Sequence, residues 1–520
     1  MDGNSAGLKE FERLRARLES LINENPGKAV DEARSLSSDT PAGGVLLTGL
    51  KASFLVDAGS RCRDKPAVAE GVDLFRRLLD SDPKDANLHY NLGNGLVALA
   101  EQEPYTGFDW YLTTADLRRE ARSCFQRAVS LDDARDVSSV SLTNLGNALW
   151  KAHRWAEAYD AYSTALEYDG TNAVAATGAV KVLLRCVEHN IGDRPALLSV
   201  AARHLETAKQ HADRIAELAG LRARDDLSKL LEKSLDGGVP PDLTQATEYE
   251  KFVAHHRLAL SPTIDGLDLS LKRWDSLRVK SFAETVGAGS GVPPLFAMFN
   301  VLKSDFLVAR HLAFQALSTG IPDSGFYSDT LDYAVYGVVP SMLSLAQRAC
   351  MDVLDKIAVA TTEYFAIPGS EKSVYFTTRW FAKRKKGQPL AWHPSLREHI
   401  HSGNTALIAL AELSLDVLEG GALHTKKVFR HSSTHGFTVL HDLGCEPSRR
   451  SAHVKHCTVD QFHSHLLESL QLARAAVLYF VEMLSLGEAD KMARSGKTAP
   501  MLVPSHHWIR GEDESSRGTP

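Results

Sequence analysis

The sequence lacks most of the features by which a function is usually read. Its six cysteines, Cys62, Cys124, Cys186, Cys350, Cys445 and Cys457, lie far apart and include no CxxC pair. That spacing argues against a disulfide framework or a thiolate zinc site and fits a reducing compartment. The best approach to a run of about 18 apolar residues, between Ala475 and Leu486, is broken by Glu482. The N-terminus is charged from Asp2 onward, so no secretory leader is expected there, and the chain reads as cytoplasmic with no membrane segment. Neither sign of charge dominates: 59 Lys and Arg stand against 65 Asp and Glu, for a net charge of −6. A broad basic surface for gripping duplex DNA is therefore not implied, and any nucleic-acid contact has to be local. Phosphate-cradling glycine loops, the GxSxG elbow, HExxH and the zinc-deaminase pattern are all missing.

What is present is helix. Apolar residues recur at three- and four-residue spacing through most of the chain, so an all-α fold is expected. Residues 1–40 read as N-terminal helices. A self-similar array follows over 41–232. Leu145-Gly146 is succeeded by Ala158, Tyr162 and Ala165, and Leu92-Gly93 by Ala121, Phe125 and Ala128. Upstream, Ala58-Gly59 precedes Phe75, Leu78 and Pro83, and a weaker unit starts at Asn172. Small residues allow two helices to approach, and the aromatic fills the groove between them. This pattern resembles the tetratricopeptide repeat, whose units stack because none can bury its own apolar face. An insertion near 102–116 carries Tyr105, Phe108, Trp110 and Tyr111, which read more readily as packing back onto the array than as a contact surface. The array is a possible site for a protein or peptide ligand.

Glycine and proline pairs mark a linker at 233–246. Beyond it, helices are expected at about 295–318, 338–365, 396–419, 424–442 and 459–485, a bundle spanning 247–486. The polar residues 487–520 read as a disordered tail. Within the bundle, Asp355 sits in an apolar seam and calls for a partner, for which Arg310 is the candidate. His441 is expected on the same helix as His435, facing solvent.

Histidine is concentrated here, with 13 of 21 falling between His393 and His507. The HxH pairs His399/His401 and His463/His465 have no carboxylate at zincin spacing, and no metal or other cofactor is expected. That leaves Arg430-His431-Ser432-Ser433-Thr434-His435. Arginine offers a permanent planar charge to a phosphate, and histidine can exchange a proton near neutral pH. Together they have the chemistry for metal-free RNA cleavage: histidine acts on the 2′-hydroxyl or the leaving oxygen, and arginine steadies the phosphorus centre. Chance alone produces about as many Arg-x(4–6)-His pairs as occur, so context decides. Arg430 is read as opening a helix, whose amides would add positive potential. Arg449, Arg450 and His456 lie in a proline-containing loop and are the weaker candidates.

The stretches YEKFVAHHRLALSP, FNVLKSDFLVARHLAFQAL, LDKIAVATTEYF and VYFTTRWF, followed by RHSSTH, resemble a HEPN domain. More narrowly they resemble the bacterial HEPN proteins with tetratricopeptide repeats in front. The resemblance implies a ribonuclease with Arg430 and His435 as catalytic residues and His431 and Ser432 as supporting or RNA-contacting ones. It also implies a homodimer through the bundle, an RNA substrate, products with 2′,3′-cyclic phosphate and 5′-hydroxyl ends, and a role in host defence or stress response. The alternative is a noncatalytic RNA- or nucleotide-binding or adaptor module, in which Arg430 binds an acidic helix such as the one bearing Asp416.

Overall fold

The computed structural model describes the chain apart from residues 1, 37–40, 133, 190, 192–193, 232–234, 236–242, 261–274, 280, 286–291, 319, 369–373, 384, 386, 445–450, 495–497 and 504–520. Most of the linker expected at 233–246 therefore lies outside the described residues. The fold is all-α: 71% of it is helix, with five short strands among the described residues.

The N-terminal part runs α1 (Asp2–Glu24), α2 (Pro26–Ser35), α3 (Pro41–Cys62), α4 (Lys65–Ser81), α5 (Ala86–Glu101), α6 (Trp110–Thr113), α7 (Ala115–Leu131), α8 (Ser138–Lys151), α9 (Trp155–Tyr168), α10 (Ala173–Glu188), α11 (Arg194–Gln210) and α12 (Ala212–Leu231). Helices α3–α4, α5–α7, α8–α9 and α10–α11 pack as consecutive hairpins, each against the next. Their starts are set by side chains that accept orphan amides: Asp64 from Ala67, Asp85 from Leu88 and Asn172 from Ala175. The glycine–aromatic pairing sets the spacing of the middle hairpins. A Cβ at Gly93 would lie 2.6 Å from the Phe125 ring, and one at Gly146 or Gly178 would lie 2.5 Å from Tyr162. Tyr162 is thus clamped between the first helices of two successive hairpins. Gly146→Ala is expected to cost about 1–3 kcal/mol by overpacking, read as a lower denaturation midpoint. In the α3–α4 pair the sequence frame slips. Gly59 faces Ala67 and Val68, and the close approach is made by Gly71 against the Ala52 carbonyl and Val56.

The insertion folds back onto the body. Trp110 and Tyr111 are buried, Phe108 meets the His401 ring, and Tyr105 stays exposed. Tyr111 is hydrogen-bonded to the Lys151 carbonyl at 2.9 Å and to His153 Nε2 at 3.0 Å. Burial, with Arg185 and Arg118 nearby, lowers the His153 pKa to about 4.

The second half contains α13 (Glu248–His255), β1 (Ser281–Thr285), α14 (Pro294–Ser318), β2 (Ala334–Val335), α15 (Val338–Tyr364), α16 (Pro394–His401), α17 (Thr405–Val417), α18 (His424–His435), β3 (Phe437–His441), β4 (Val454–Thr458), α19 (Val459–Arg494) and β5 (Thr498–Leu502). Helices α14, α15, α17 and α19 form the bundle, and α18 packs on α15 and α17. By length and composition α19 could cross a membrane, yet 83% of its apolar window is buried inside the protein. Every residue of α17 from Ala406 to Val417 is buried, as an all-round apolar helix requires.

Four expectations are corrected here. In the segment 487–520 expected to be disordered, α19 continues to Arg494 and β5 pairs antiparallel with β1, while 495–497 and 504–520 lie outside the described residues. The helix expected over 424–442 ends at His435, because Gly436 leaves helical geometry and Phe437–His441 pairs as a strand with β2 and β4. Asp355 does not meet Arg310, whose guanidinium is taken by Asp275, at 2.6 Å, and by Tyr249. His441 is not solvated. It is buried in β3, with Nδ1 2.9 Å from the Asp332 carbonyl and Nε2 2.8 Å from His456 Nδ1.

The two halves are joined by buried charge. Arg118 and Arg122 stand one turn apart on α7, and Glu412 and Asp416 one turn apart on α17. Arg118 meets Glu412 at 2.6 Å, and Arg122 meets Asp416 at 2.7 Å. Arg154 of α9 also binds Asp416. Farther along, Glu482 of α19 accepts from the Trp155 indole at 2.7 Å and binds Arg185. Asp416 is therefore committed to the N-terminal hairpins and is not the partner of Arg430.

Candidate functional site

α18 owes its position to Phe429, which is buried against Phe462 of α19, and to Lys426, buried and bound to Glu468. With that face fixed inward, Lys427, Arg430, His431, Thr434 and His435 fall along the other side at helical spacing. All five line one cavity of about 450 Å³. Its remaining wall comes from Met351, Leu354 and Asp355 of α15, from Tyr375, Phe376 and Thr377 in the following loop, and from Val417 at the end of α17. The cavity is thus apolar on one side and basic on the other.

Arg430 is held by two carboxylates of α15. Its Nε and Nη2 donate to Asp352 Oδ1 at 3.1 and 2.8 Å, and its Nη1 donates to Asp355 Oδ2 at 2.7 Å. Burial works against the charge, but Asp355 and Asp352 outweigh it and raise the Arg430 pKa. Three of the five guanidinium N–H groups are used, which fixes its plane and leaves two for a ligand. The His431 and His435 rings lie 5.2 Å apart, and both residues are exposed.

The motif stands at the end of a helix, not at its start. The amides of a helix N-terminus therefore contribute nothing here, and the carbonyl end of α18 favours the cationic side chains that cluster there. The apolar residues after the motif, Phe437 and Val439, belong to a strand and not to a helix that the motif opens.

Among the expected site residues, the fold brings Arg430, His431 and His435 together. Ser432 turns away: its hydroxyl lies 3.1 and 3.0 Å from the Val428 and Phe429 carbonyls and 3.1 Å from Thr438, so it braces the helix end and does not line the cavity. His456 is bound to His441 in the adjoining sheet and is likewise absent from the cavity wall. Arg449 and Arg450 lie outside the described residues.

Residues 286–486 match the LA2681-like HEPN family. The match supports a HEPN domain over these residues, which supply every side chain of the cavity. It starts at 286, so α13 and β1 precede it. No curated protein matches the chain. The sequence pattern does not single out Lys427 and Tyr375 of the cavity, nor Asp352, which holds Arg430 from outside the cavity wall. Lys427 is one turn before Arg430 and Asp352 one turn before Asp355, so the helical period carries a signal for both. Tyr375 carries none, because an irregular loop delivers it.

Proposed function

We propose that this protein is a metal-independent endoribonuclease of the HEPN type, fused to a tetratricopeptide-like array that regulates or targets it. The observation that carries the reading is the convergence of Arg430, His431, His435 and Lys427 on one half-apolar cavity within the HEPN match. In the proposed reaction Arg430 holds the scissile phosphate with its two remaining N–H groups and stabilises charge as the 2′-oxygen attacks phosphorus. His435 exchanges the proton, as base toward the 2′-hydroxyl or acid toward the leaving 5′-oxygen, and His431 orients the phosphate or contacts RNA. The P–O5′ bond breaks, leaving a 2′,3′-cyclic phosphate and a 5′-hydroxyl.

The protein is read as a cytoplasmic homodimer acting in defence or stress response, paired through the HEPN bundle. An exposed segment carrying Phe326, Tyr327, Leu331, Tyr333 and Tyr336 beside α15 favours pairing, because solvated apolar surface of that kind marks interaction sites. One feature favours the noncatalytic alternative: Arg430 already faces two carboxylates, which weakens its pull on a phosphate.

The test is incubation of purified protein with mixed tRNA and a labelled single strand in EDTA. Cleavage that leaves cyclic-phosphate ends is the expected result. A well-folded protein that binds RNA and never cleaves it, with or without a divalent ion, would place it with the noncatalytic modules.

A further inference from the structure

The cavity is too apolar to be a phosphate site alone. Beside the cations stand Met351, Leu354, Phe376 and Val417, with Tyr375 at the rim. Tyr375 is 57% exposed, whereas its neighbour Phe376 is 2% exposed. The loop that carries them is pinned. The Phe376 amide donates to Asp355 Oδ1 at 2.9 Å, and the Trp380 indole donates to the Phe376 carbonyl at 2.6 Å. Trp380 is itself buried, its ring edge-on to Phe376 at 5.4 Å. An exposed aromatic on a pinned loop, next to a void, presents a ring face that no described residue stacks on.

Asp355 links this wall to the charged one. One carboxylate oxygen takes the Phe376 amide and the other takes Arg430 Nη1. The aromatic wall and the guanidinium are therefore kept in register by a single side chain. A ligand that matches both walls has a flat, largely apolar group one short link away from an anion. A nucleotide within a strand is such a group.

We propose that the cavity is a nucleobase subsite, in which an unpaired base stacks on Tyr375 within the Met351, Leu354, Phe376 and Val417 wall while the adjoining phosphate meets Arg430. This rests on the RNA-cleavage reading and narrows it. The substrate is RNA that offers an unstacked base, in a loop, bulge or single strand, because a base held in an A-form duplex cannot enter a side pocket. Asp355 is a positioning residue in this scheme, acting through Phe376 and Arg430.

The test uses a short RNA carrying 2-aminopurine, made uncleavable by a 2′-O-methyl group on the ribose before the scissile phosphate. Binding to the full-length protein is expected to change the fluorescence of the base. Tyr375→Ala is expected to weaken binding about 5- to 150-fold, the range that loss of one base–aromatic stack covers. Tyr375→Phe should restore most of that loss, which a merely misfolded loop would not permit. The same RNA in a perfect duplex is expected to give no fluorescence change. Equal affinity for Tyr375→Ala and wild type, or equal response from the duplex, overturns the subsite even where wild type cleaves RNA. Absence of RNA binding by wild type overturns the cleavage reading as well, so the two failures are told apart.

Discussion

His435→Ala is expected to lower RNA cleavage by about 10²–10⁴-fold, the usual contribution of a positioned acid–base group. The structure makes this a sharp prediction because it separates histidines that spacing alone does not. His435 and His431 line the cavity with Arg430, while His456 is paired with His441 between β3 and β4. Cleavage per folded molecule is therefore expected to persist in His456→Ala. That variant has a cost of a different kind, since it leaves Nε2 of the buried His441 without its 2.8 Å partner. A buried polar atom so orphaned costs about 1–3 kcal/mol, so the protein should melt earlier while it still cuts. Arg430→Lys should behave almost as Arg430→Ala, because an ammonium cannot span Asp352 and Asp355 and still offer two N–H groups to a phosphate. Single-turnover cleavage rates of the four variants in EDTA check the set. A fast His435→Ala beside a dead His456→Ala would move the chemistry out of the α18 cavity and into the sheet.

The sequence was legible where one physical rule acted alone. The period of apolar residues placed α14, α15 and α19, though the helix expected at about 396–419 is two, α16 and α17, broken at Ser402–Asn404, and the Gly93–Phe125 and Gly146–Tyr162 pairs placed the hairpins, because close helix approach demands that combination. It was illegible where two rules competed. The run Phe437–His441 fits a strand by alternation and a helix by spacing of Phe437 and Leu440, and Gly436 decided the matter by leaving helical geometry. Ion-pair partners were the least legible. Asp355 had to find a cation, but nothing local says that Arg430, 75 residues away, takes it while Arg310 turns to Asp275. The i, i+4 charges were the missed clue. Arg118/Arg122 on one amphipathic helix and Glu412/Asp416 on an otherwise apolar one are complementary pairs of equal spacing. Burial of an acid on an apolar helix requires a matching base somewhere.

Removing one of those acids has the largest expected effect on stability. Asp416→Ala is expected to cost about 3–5 kcal/mol, since it leaves two buried guanidiniums facing each other with one carboxylate fewer. The Arg122 and Arg154 side chains are only 1% and 2% exposed, so their own hydration replaces little of the lost partner. The cluster also predicts acid lability. Burial pushes the Asp416 carboxyl up, but Arg122 and Arg154 together hold it below its usual range. A carboxyl depressed in the folded state lends stability that is fully present above its unfolded pKa of about 3.9 and is lost as pH falls through the folded value. The junction should therefore be firm at neutral pH and fail in strong acid, and Asp416→Ala should lose that acid dependence along with the stability. Hydrogen exchange at the amides of α7, α9 and α17 reads both effects, and protection equal to wild type would show that the charges are not what joins the halves. The consequence reaches the site, for Asp416 adjoins Val417, which lines the cavity. The α17 end that walls the proposed base pocket is thus gripped by two arginines of α7 and α9. Loosening that grip is expected to weaken RNA binding in Asp416→Ala, although no side chain of the cavity has been changed.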